Sequence, residues 1–444
     1  MIIDHTKDQE PVRAGAIIPL IGRSAGVNQV LREDETRGLI ESLDAECTFV
    51  ETLNIRLVNS GQLFGSGQLD SIKQKLTDND CQLFVVDGVL TPIQQRNLET
   101  ALQVKVIDRT GLILEIFGLR ARTKAGRLQV ETARLAYERS RLVRTWTHLE
   151  RQRGGSGFIS GPGETQIEAD RRMLDNTLLR LRGQLKEVER TRRVQRSGRQ
   201  HKETPIVALV GYTNAGKSTL FNRLSGSRVF AKDMPFATLD PTIRQMKLDN
   251  ATEIALVDTV GFITDLPTSL IESFKATLEE SMLADVLLHV HDASSPDADL
   301  QEAEVDSILE DLEELMDVDS PPVIHVWNKC DVLSEDELDV LKSSVQSGDG
   351  TEPHMFVSAL SGEGMETLLD EIKLQLHRHN KVYVIELPET EGKAISWLHA
   401  HGQIQGQTSD NSNSTISLSV SLSDKSLGQF RHLFPEHGNR IQSR

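Results

Sequence analysis

Residues 211–219 have the types and spacing that bind phosphate, because they fit the pattern G-x-x-x-x-G-K-[ST]. In such a loop, backbone N–H groups of the loop and of the helix that follows converge on phosphate oxygens. The two glycines allow a tight turn, the lysine would neutralise the β- and γ-phosphates, and the first hydroxyl would ligate Mg²⁺. The predicted phosphate-binding residues are Gly211, Tyr212, Thr213, Asn214, Ala215, Gly216, Lys217, Ser218 and Thr219.

The sequence on either side of this loop has the structure that the loop requires. Residues 206–210 are apolar and rich in β-branched side chains, which predicts a short buried strand. Residues 220–224 begin a helix. A chance glycine-rich turn is not expected between such elements.

A second group of candidate residues, Asp258, Thr259, Val260 and Gly261, follows the apolar run 254–257. An acid at a strand end near the phosphate loop can hold Mg²⁺ through water, and a glycine N–H can sense the γ-phosphate. The pattern D-x-x-G is common by itself. Its place at the end of the next apolar strand is what makes it informative.

A third group, residues 328–331, reads Asn-Lys-Cys-Asp and follows the apolar run 323–327. Guanine presents two adjacent N–H donors that the Asp331 carboxylate can accept as a pair, whereas adenine presents an acceptor there. Asn328 would contact the O6/N7 side and brace the loop, and the Lys329 stem would cover the base. A backbone N–H after the run 355–357 would add a bond to O6. The predicted base-binding residues are Asn328, Lys329, Cys330, Asp331, Ser358, Ala359 and Leu360.

A threonine between the phosphate loop and Asp258 is expected to give its hydroxyl to Mg²⁺ when the γ-phosphate is present. The candidates are Thr238, within the segment Phe-Ala-Thr-Leu-Asp at 236–240, and Thr242. The motifs themselves do not decide between these two residues.

Composition indicates a soluble protein of two to four domains, since the chain has 444 residues, 38% hydrophobic and 26% charged. Its three cysteines, Cys47, Cys81 and Cys330, are too scattered for a disulfide framework or a cysteine zinc site, so a reducing cytosol is expected. The N-terminus lacks a signal-peptide core, and no apolar run is long enough to span a bilayer. We expect a cytoplasmic monomer, with peripheral membrane contact left open.

The predicted fold class is α/β, with four regions along the chain. Residues 1–120 form a small α/β unit, 121–200 a helical hairpin, 201–379 the P-loop domain, and 380–444 a small α+β domain. In the first region the pattern predicts strands at 15–21, 47–50, 82–86 and 104–107, and helices at 71–76 and 92–101. In the last region it predicts strands at 382–385 and 416–422, with a polar loop at 407–414.

The hairpin prediction comes from leucines at heptad spacing on both sides of a glycine-rich stretch. One seam has leucines at 128, 135, 142 and 149, and the other has apolar residues at 174, 178, 181, 185 and 188. Residues 154–163 would form the tip, and Glu164 would open the second helix. The polar run from Ser197 to Pro205 is expected to end it.

Charge is distributed unevenly over this chain, whose net charge is −17. Residues 171–200 carry ten basic and three acidic side chains, a local charge of +7, whereas residues 301–320 carry nine acids and no base. A basic segment can hold a phosphate backbone even on an acidic protein, because binding follows the local potential. An ordinary solvated helix face is the alternative.

Taken together, these motifs resemble the translation-factor class of P-loop GTPases, and the chain resembles the HflX family of ribosome-associated GTPases. The resemblance is most specific at residues 154–157, 161–166, 211–218, 236–240 and 258–262. It implies a switch segment formed by Phe236, Ala237, Thr238, Leu239 and Asp240, with Ser218 and Thr238 as the Mg²⁺ ligands. Lys217, Thr238 and Gly261 are the residues expected to act in hydrolysis.

The resemblance also implies that the chain binds GTP and GDP, and that it associates with the large ribosomal subunit and its RNA rather than with DNA. Its role would be in ribosome rescue, splitting or assembly. Many relatives of this fold have a glutamine after the D-x-x-G glycine, where it orients the attacking water. Phe262 stands there in this chain, so slow intrinsic hydrolysis is expected.

Two other functions remain compatible with the residues. One is a nucleotide-gated binding module in subunit assembly, whose hydrolysis is incidental and would not be stimulated by ribosomal subunits. The other is an ATP-dependent RNA remodeller using the N-terminal unit. It rests only on Gly65-Ser66-Gly67 and on the alternation of strands and helices in that unit, and a plain turn is the simpler interpretation of the Gly-Ser-Gly sequence.

Overall fold

The computed structural model describes most of the chain. The described residues are 11–22, 29–152, 162–200, 204–226, 234–236, 241–248, 252–263, 281–316, 320–346, 352–378, 381–410, 415–422 and 424–443. The predicted hairpin tip therefore falls largely outside them, as do the switch residues 237–240. Within the described part of the chain, no helix has both the length and the apolar character needed to cross a bilayer.

The N-terminal unit is a four-stranded parallel sheet in the order β2-β1-β3-β4. Its strands are β1 (Arg13–Ile21), β2 (Glu46–Ile55), β3 (Leu83–Val86) and β4 (Lys105–Asp108). Its helices are α1 (Gln29–Glu41), α2 (Ser66–Asp78), α3 (Pro92–Leu102) and α4 (Arg109–Arg120). The predicted α/β unit is confirmed, and the predicted strands and helices are found with shifted ends.

Local sequence explains where these helices begin. Thr91 and Gln94 form a capping box at the start of α3, with Pro92 in the first turn. The Asp108 carboxylate caps α4 by accepting the N–H of Gly111 at 2.9 Å. Gly65 is the N-cap of α2, so the Gly-Ser-Gly sequence is the turn into a helix.

Two long helices, α5 (Lys124–Gln152) and α6 (Pro162–Gln200), form the predicted hairpin. The ion pair between Arg139 and Asp175, at 2.6 Å, joins positions equally far from the ends that face the tip, as antiparallel packing requires. The second helix, α6, begins at Pro162 rather than at Glu164, because proline is well tolerated in a first turn. It also continues to Gln200, so the predicted break at Ser197 was wrong; single serine and glycine residues cost a helix only about 1 kcal/mol.

The P-loop domain has a six-stranded sheet in the order β10-β9-β8-β5-β7-β6. Its strands are β5 (Ile206–Gly211), β6 (Thr242–Lys247), β7 (Glu253–Asp258), β8 (Val286–Asp292), β9 (Val323–Asn328) and β10 (His354–Phe356). Its helices are α7 (Lys217–Ser225), α8 (Ala298–Met316), α9 (Glu335–Gln346) and α10 (Met365–His377). Only β6 is antiparallel to its neighbour, and β6 was missed because it is a half-exposed edge strand with polar side chains.

The central strands of this sheet are buried on both faces. Alternate residues of β5 belong to two cores, one containing Val207 and Leu209 and the other containing Ala208 and Val210. Because the strands are parallel, their carboxyl ends meet at one edge of the sheet, where crossover loops form a crevice. This edge carries the phosphate-binding and base-binding motifs.

The C-terminal region is an antiparallel sheet in the order β12-β13-β11-β14 with two helices. Its elements are β11 (Lys381–Pro388), α11 (Gly392–His401), β12 (Gln403–Asp410), β13 (Thr415–Leu422), α12 (Asp424–Leu433) and β14 (Ile441–Ser443). The predicted polar loop at 407–414 was wrong over residues 407–410, which belong to β12. This edge strand is held by backbone hydrogen bonds to β13, and such bonds do not require apolar side chains.

The hairpin generates a stability prediction based on two adjacent leucines of α6. Leu178 is 3% exposed, whereas Leu179 is 77% exposed. We expect Leu178→Ala to lower the free energy of unfolding by about 2–5 kcal/mol, since it removes a buried side chain. Leu179→Ala makes the same change in helix propensity at a solvated position, and its effect should stay within about 0.5 kcal/mol. Urea unfolding followed by far-UV circular dichroism measures both, and equal effects would contradict a packed seam at Leu178.

Candidate functional site: a nucleotide pocket at the sheet edge

The predicted motifs surround one pocket of about 340 Å³ at the carboxyl edge of the central sheet. It is lined by Thr213, Asn214, Gly216, Lys217, Ser218, Thr219, Met234, Phe236, Thr259, Gly261, Asn328, Lys329, Asp331, Val332, Ala359 and Leu360. The structure thus brings together residues from five separate segments. All but Met234 and Val332 were predicted site residues.

The phosphate loop connects β5 to α7 in a conformation that needs its glycines. Gly211 has φ +141° and Gly216 has φ +90°, both in the region that disfavours side chains. A Cβ on Gly211 would also collide with the Val290 carbonyl, and one on Gly216 with the Asn328 amide. The predicted need for glycine at both positions is therefore steric as well as conformational.

Lys217 begins α7 and is almost fully buried. Its Nζ donates to the carbonyl oxygens of Gly211 at 3.0 Å and Tyr212 at 2.6 Å. Burial lowers the pKa of Lys217 from 10.5 to about 8, against the opposing effect of the Asp258 carboxylate. A buried ammonium lying on backbone carbonyls gains strongly from an anionic ligand, which would supply the charge that water no longer provides.

The loop after β7 is fixed to the phosphate loop by backbone bonds. Thr213 N–H donates to Phe262 O at 2.7 Å, and Phe262 N–H donates to Gly211 O at 3.1 Å. The Phe262 side chain is 3% exposed and lies in the core with Val210 and Val257. It is therefore not available to position a water molecule in the pocket.

Ser218 and Asp258 provide oxygen atoms next to each other at the phosphate end of the pocket. Ser218 Oγ donates to Asp258 Oδ2 at 2.8 Å, and the Asp258 residue is buried. A hydroxyl beside a carboxylate is the type of oxygen donor set that Mg²⁺ prefers, usually with water and substrate phosphate completing the shell. The residues present therefore fit a Mg²⁺ ion bound together with a nucleotide.

Asn328 is at the end of β9, with both ends of its carboxamide bonded inside the protein. Its Nδ2 donates to Ala215 O at 2.9 Å, and its Oδ1 accepts the N–H of Ala359 at 2.9 Å. The predicted bracing role is seen in the structure. Because the Ala359 N–H already has this acceptor, a guanine O6 would have to share it.

The base end of the pocket is formed by Lys329, Asp331 and the loop after β10. Lys329 adopts φ +66°, and its Nζ donates to Asp292 Oδ2 at 2.6 Å, which fixes the side chain along the pocket wall. Asp331 lies exposed in the short helix Cys330–Val332, where its carboxylate is accessible to a ligand. The Cys330 thiol faces inward and donates to Trp327 O at 3.2 Å, so this side chain has a structural rather than a ligand-binding role.

The loop after β10 is shaped by its own side chains and by α7. Ser358 Oγ accepts the N–H of Ser361 at 2.9 Å, and Ser358 N–H donates to Glu363 O. Arg223 donates to the carbonyls of Ala359 and Leu360. Ser358 thus shapes the loop, whereas Ala359 and Leu360 line the pocket.

The switch segment is described only in part. Phe236 lines the pocket, whereas Ala237, Thr238, Leu239 and Asp240 lie outside the described residues. Thr242 starts β6, where it pairs with Asp258 in the antiparallel register, and it is not among the residues lining the pocket. Thr238 as the second Mg²⁺ ligand stays a prediction.

The N-terminal unit contacts the pocket from outside through two segments. The Tyr212 hydroxyl donates to Glu35 Oε2 at 2.6 Å, and Val260 and Phe236 lie in the N-terminal core cluster with Phe117. The rings of Phe117 and Phe236 meet edge to face with centroids 4.7 Å apart. The phosphate loop and the start of the switch segment therefore both pack on the N-terminal unit.

A buried ionic network continues from Glu35 into the N-terminal sheet. Arg109 pairs with Glu35 and with Asp87, the latter at 2.5 Å, and Arg32 pairs with Asp87 at 2.8 Å. Burial by itself would raise the pKa of Asp87, but the two guanidinium groups hold it below its ordinary value. This network connects the carboxyl end of β3 to the phosphate loop through side chains alone.

Sequence reasoning missed several residues that position the site. Asp292 directly follows the apolar part of β8, and an acid at a strand end was the signal that could have identified it. Arg223 lies 136 positions from its partner Ala359, and Glu35 lies 177 positions from its partner Tyr212. No local sequence pattern therefore marks either residue. Met234 and Val332 line the pocket without any motif of their own.

Family models match successive parts of the chain. Residues 32–118 match "GTP-binding GTPase N-terminal", residues 120–199 match "GTP-binding GTPase Middle Region", residues 206–329 match "50S ribosome-binding GTPase", and residues 343–433 match "HflX C-terminal domain".

Curated relatives match over nearly all of the sequence. A protein of Magnetococcus marinus named GTPase HflX is 42% identical over 444 residues, covering 100% of this chain and 99% of the relative. The Escherichia coli GTPase HflX is 40% identical over 389 residues, covering 87% of this chain and 89% of the relative. Among solved structures, a GTP-binding protein from Sulfolobus solfataricus in complex with GDP is 23% identical, with a TM-score of 0.45 and 83% of this chain covered.

The contact between Gly261 and Lys217 yields a prediction about the γ-phosphate. A Cβ at position 261 would lie 3.0 Å from Lys217 Nζ and 2.9 Å from Thr213 Cγ2, so one of these groups would have to move. We expect Gly261→Ala to weaken binding of a non-hydrolysable GTP analogue at least tenfold while changing GDP binding much less. Isothermal titration with both nucleotides measures this. Gly183→Ala, where an added Cβ meets nothing, is the control, and equal losses for GDP and the analogue would contradict the prediction.

Proposed function

The chain belongs to the HflX family of GTPases, and from this premise we propose that it binds GTP with Mg²⁺, hydrolyses it, and uses the cycle on the large ribosomal subunit in ribosome splitting, rescue or assembly. The observation that carries the proposal is the single pocket that unites the phosphate loop, Gly261, Asn328 and Asp331. This combination supplies phosphate binding and base recognition within one crevice.

From the position of Asp331 we infer that the base of the bound nucleotide is guanine. Its carboxylate is exposed at the base end of the pocket, and an ionised carboxylate accepts two adjacent N–H donors well. Asn328 holds the base-binding loop in place through its bond to the phosphate loop. The Lys329 side chain, fixed by Asp292, forms one wall of the pocket. Adenine would place an acceptor against the carboxylate.

The residues at the phosphate end would act by positioning and by charge. Lys217 leaves its backbone carbonyls to pair with phosphate oxygens, Gly261 N–H senses the γ-phosphate, and Ser218 with Thr238 would hold the metal. Bound Mg²⁺ would neutralise charge on the β- and γ-phosphates. Because the side chain after Gly261 is the buried Phe262, the protein has no glutamine there to orient the attacking water, and intrinsic turnover should be slow.

The proposed partner follows from the hairpin as well as from the family. The six basic residues of segment 171–200 whose side chains are described are all exposed: Arg171, Arg172, Arg180, Arg182, Lys186 and Arg190. They lie on one long helix of a chain whose net charge is −17, and double-helical RNA is recognised largely through its backbone and shape. Ribosomal RNA of the large subunit is the polyanion that we expect the hairpin to contact.

Asp331→Asn tests base recognition. Exchanging the carboxylate for an amide loses a charged hydrogen bond worth roughly 1.5–3 kcal/mol, so GTP affinity should fall roughly 10- to 150-fold. The amide N–H of the variant matches the carbonyl that xanthine presents at the same position, so binding of xanthosine triphosphate should rise. Fluorescent-nucleotide competition measures both changes, with the exposed Asp336→Asn as a matched control. Wild-type protein that binds ATP and GTP equally would refute the assignment of the base.

Sedimentation with purified ribosomal subunits tests the proposed partner. We expect the chain to pellet with the large subunit, more strongly with a non-hydrolysable GTP analogue than with GDP, and GTP turnover to rise when the subunit is added. Binding without any rise in turnover would favour the binding-module function. No preference for the large subunit, or fast turnover that subunits do not change, would refute the proposal.

Charge neutralisation then tests the hairpin as the contact. Arg190, Arg192 and Arg193 changed to Gln should weaken subunit binding and reduce the slope of log affinity against log salt by roughly 0.7–0.9 per lost phosphate contact. Lys105, Lys247 and Lys393 changed to Gln remove the same charge from exposed positions elsewhere. If both triple variants shifted the salt dependence equally, the hairpin would not be the specific contact.

A further inference from the structure

Three buried histidines lie together on the face of the central sheet that α8 covers. His289 and His291 are two residues apart on β8, and His289 is paired in register with His325 of β9, so all three side chains share one face. They are 1%, 4% and 7% exposed. One ring nitrogen of each lies within 4.8 Å of the others, and the nucleotide site uses none of them.

The distances among the polar atoms fit one metal ion. His291 Nε2 and His325 Nδ1 are 3.0 Å apart, and Glu302 Oε1 from α8 lies 3.9 Å from the first and 3.2 Å from the second. An ion in the plane of these three atoms would lie about 2.0 Å from each, within the usual range of about 2.0–2.2 Å for histidine nitrogen and carboxylate oxygen. Helix and sheet have therefore already brought three candidate ligands to coordinating separation.

The surroundings of the cluster orient its rings as in known metal sites. The second nitrogen of His325, Nε2, lies 2.8 Å from Glu352 Oε2, the carboxylate–histidine arrangement that usually supports a metal-bound imidazole. Trp327 stacks on His291 and His354 stacks on His325, which fixes both ring planes. Trp327 Nε1 donates to His354 Nδ1, so the ring that stacks on His325 is itself a hydrogen-bond acceptor.

His289 supplies an independent indication of a missing partner. Its Nδ1 is buried and makes no hydrogen bond within the described part of the chain, and Asp306 Oδ1 lies 3.5 Å away. A buried imidazole nitrogen left in this way carries a desolvation cost that a metal bond would remove. Glu302 and Asp306, one helical turn apart on α8, bring negative charge towards the same point.

We propose that His289, His291, His325 and Glu302 bind a divalent transition metal, zinc by the chemistry of its ligands. Three imidazoles and one carboxylate suit zinc, and a complete set of four protein ligands is typical of a structural rather than a catalytic site. The site ties α8 to β8 and β9, the two strands that end in Asp292 and Asn328. It does not depend on the proposed function, since it lies on a face of the sheet, whereas the nucleotide pocket lies at the carboxyl edge and none of its lining residues belongs to the cluster.

Cobalt substitution tests the proposal on the full chain without a histidine tag. Protein stripped with a chelator and freed of nucleotide is titrated with Co²⁺, and one equivalent per chain should give the strong visible absorption of four-coordinate cobalt. One equivalent of Zn²⁺ should then abolish that absorption. Binding at the Mg²⁺ position beside Ser218 would give only the weak bands of six-coordinate cobalt.

Four variants locate the ion. His325→Asn and Glu302→Gln should abolish the cobalt spectrum, and Glu352→Gln should weaken zinc affinity about tenfold to a hundredfold, as loss of a supporting carboxylate does elsewhere. His399→Asn, at an exposed histidine, is the control. Glu302 and Glu352 are partly exposed, so these two variants carry the test even if the histidine variant does not fold; GDP binding reports folding.

Stoichiometric binding that depends on Glu302 and Glu352 would support the site. Absence of tight cobalt or zinc binding to the wild-type chain would overturn it, leaving a layer of histidines held by carboxylates alone. Binding that Glu302→Gln and Glu352→Gln leave unchanged would overturn it as well.

Discussion

The carboxamide of Asn328 is the interaction on which the nucleotide pocket depends. It bonds Ala215 in the phosphate loop and Ala359 in the loop after β10, so one side chain joins the ends of β5, β9 and β10. Both bonds are buried, and a buried amide left without partners would destabilise the fold. The same constraint explains Gly216, because a side chain there would occupy the space of the Asn328 amide. Phosphate recognition and base recognition are thereby fixed relative to one another before any ligand arrives.

Much of the fold and most of the pocket could be predicted from sequence, because both depend on local patterns. Apolar runs of strand length predicted the parallel strands, and polar residues at the ends of those runs predicted the pocket lining. The missed site residues have a common cause: contacts between distant segments carry no local signal. Arg223 on Ala359, Lys329 on Asp292 and Tyr212 on Glu35 are fixed by tertiary structure. Strands β6 and β12 escaped prediction because edge strands need backbone partners more than apolar side chains.

The N-terminal unit and the P-loop domain share side chains at the pocket's rim. Tyr212 belongs to the phosphate loop but bonds Glu35, and Phe236 belongs to the switch segment but packs on Phe117. Asp108 extends this arrangement to the hairpin, since Tyr137 and Arg141 of α5 both donate to its carboxylate at 2.5 Å. Asp108 is the chain neighbour of Arg109, so the contacts to the hairpin and the network that reaches Tyr212 through Glu35 start from adjacent residues of the N-terminal unit.

This attachment gives the hairpin the mechanics of a lever. Helix α6 has 39 residues and is about 58 Å long, and it ends at Gln200, six positions before the first strand of the P-loop domain begins at Ile206. A rigid rod of that length that turns by about 5° about one end moves its other end by about 5 Å. A small rotation at the base of α6 would therefore move the far end of the hairpin by about the width of a side chain. For a given angle, that displacement grows in proportion to the length of α6.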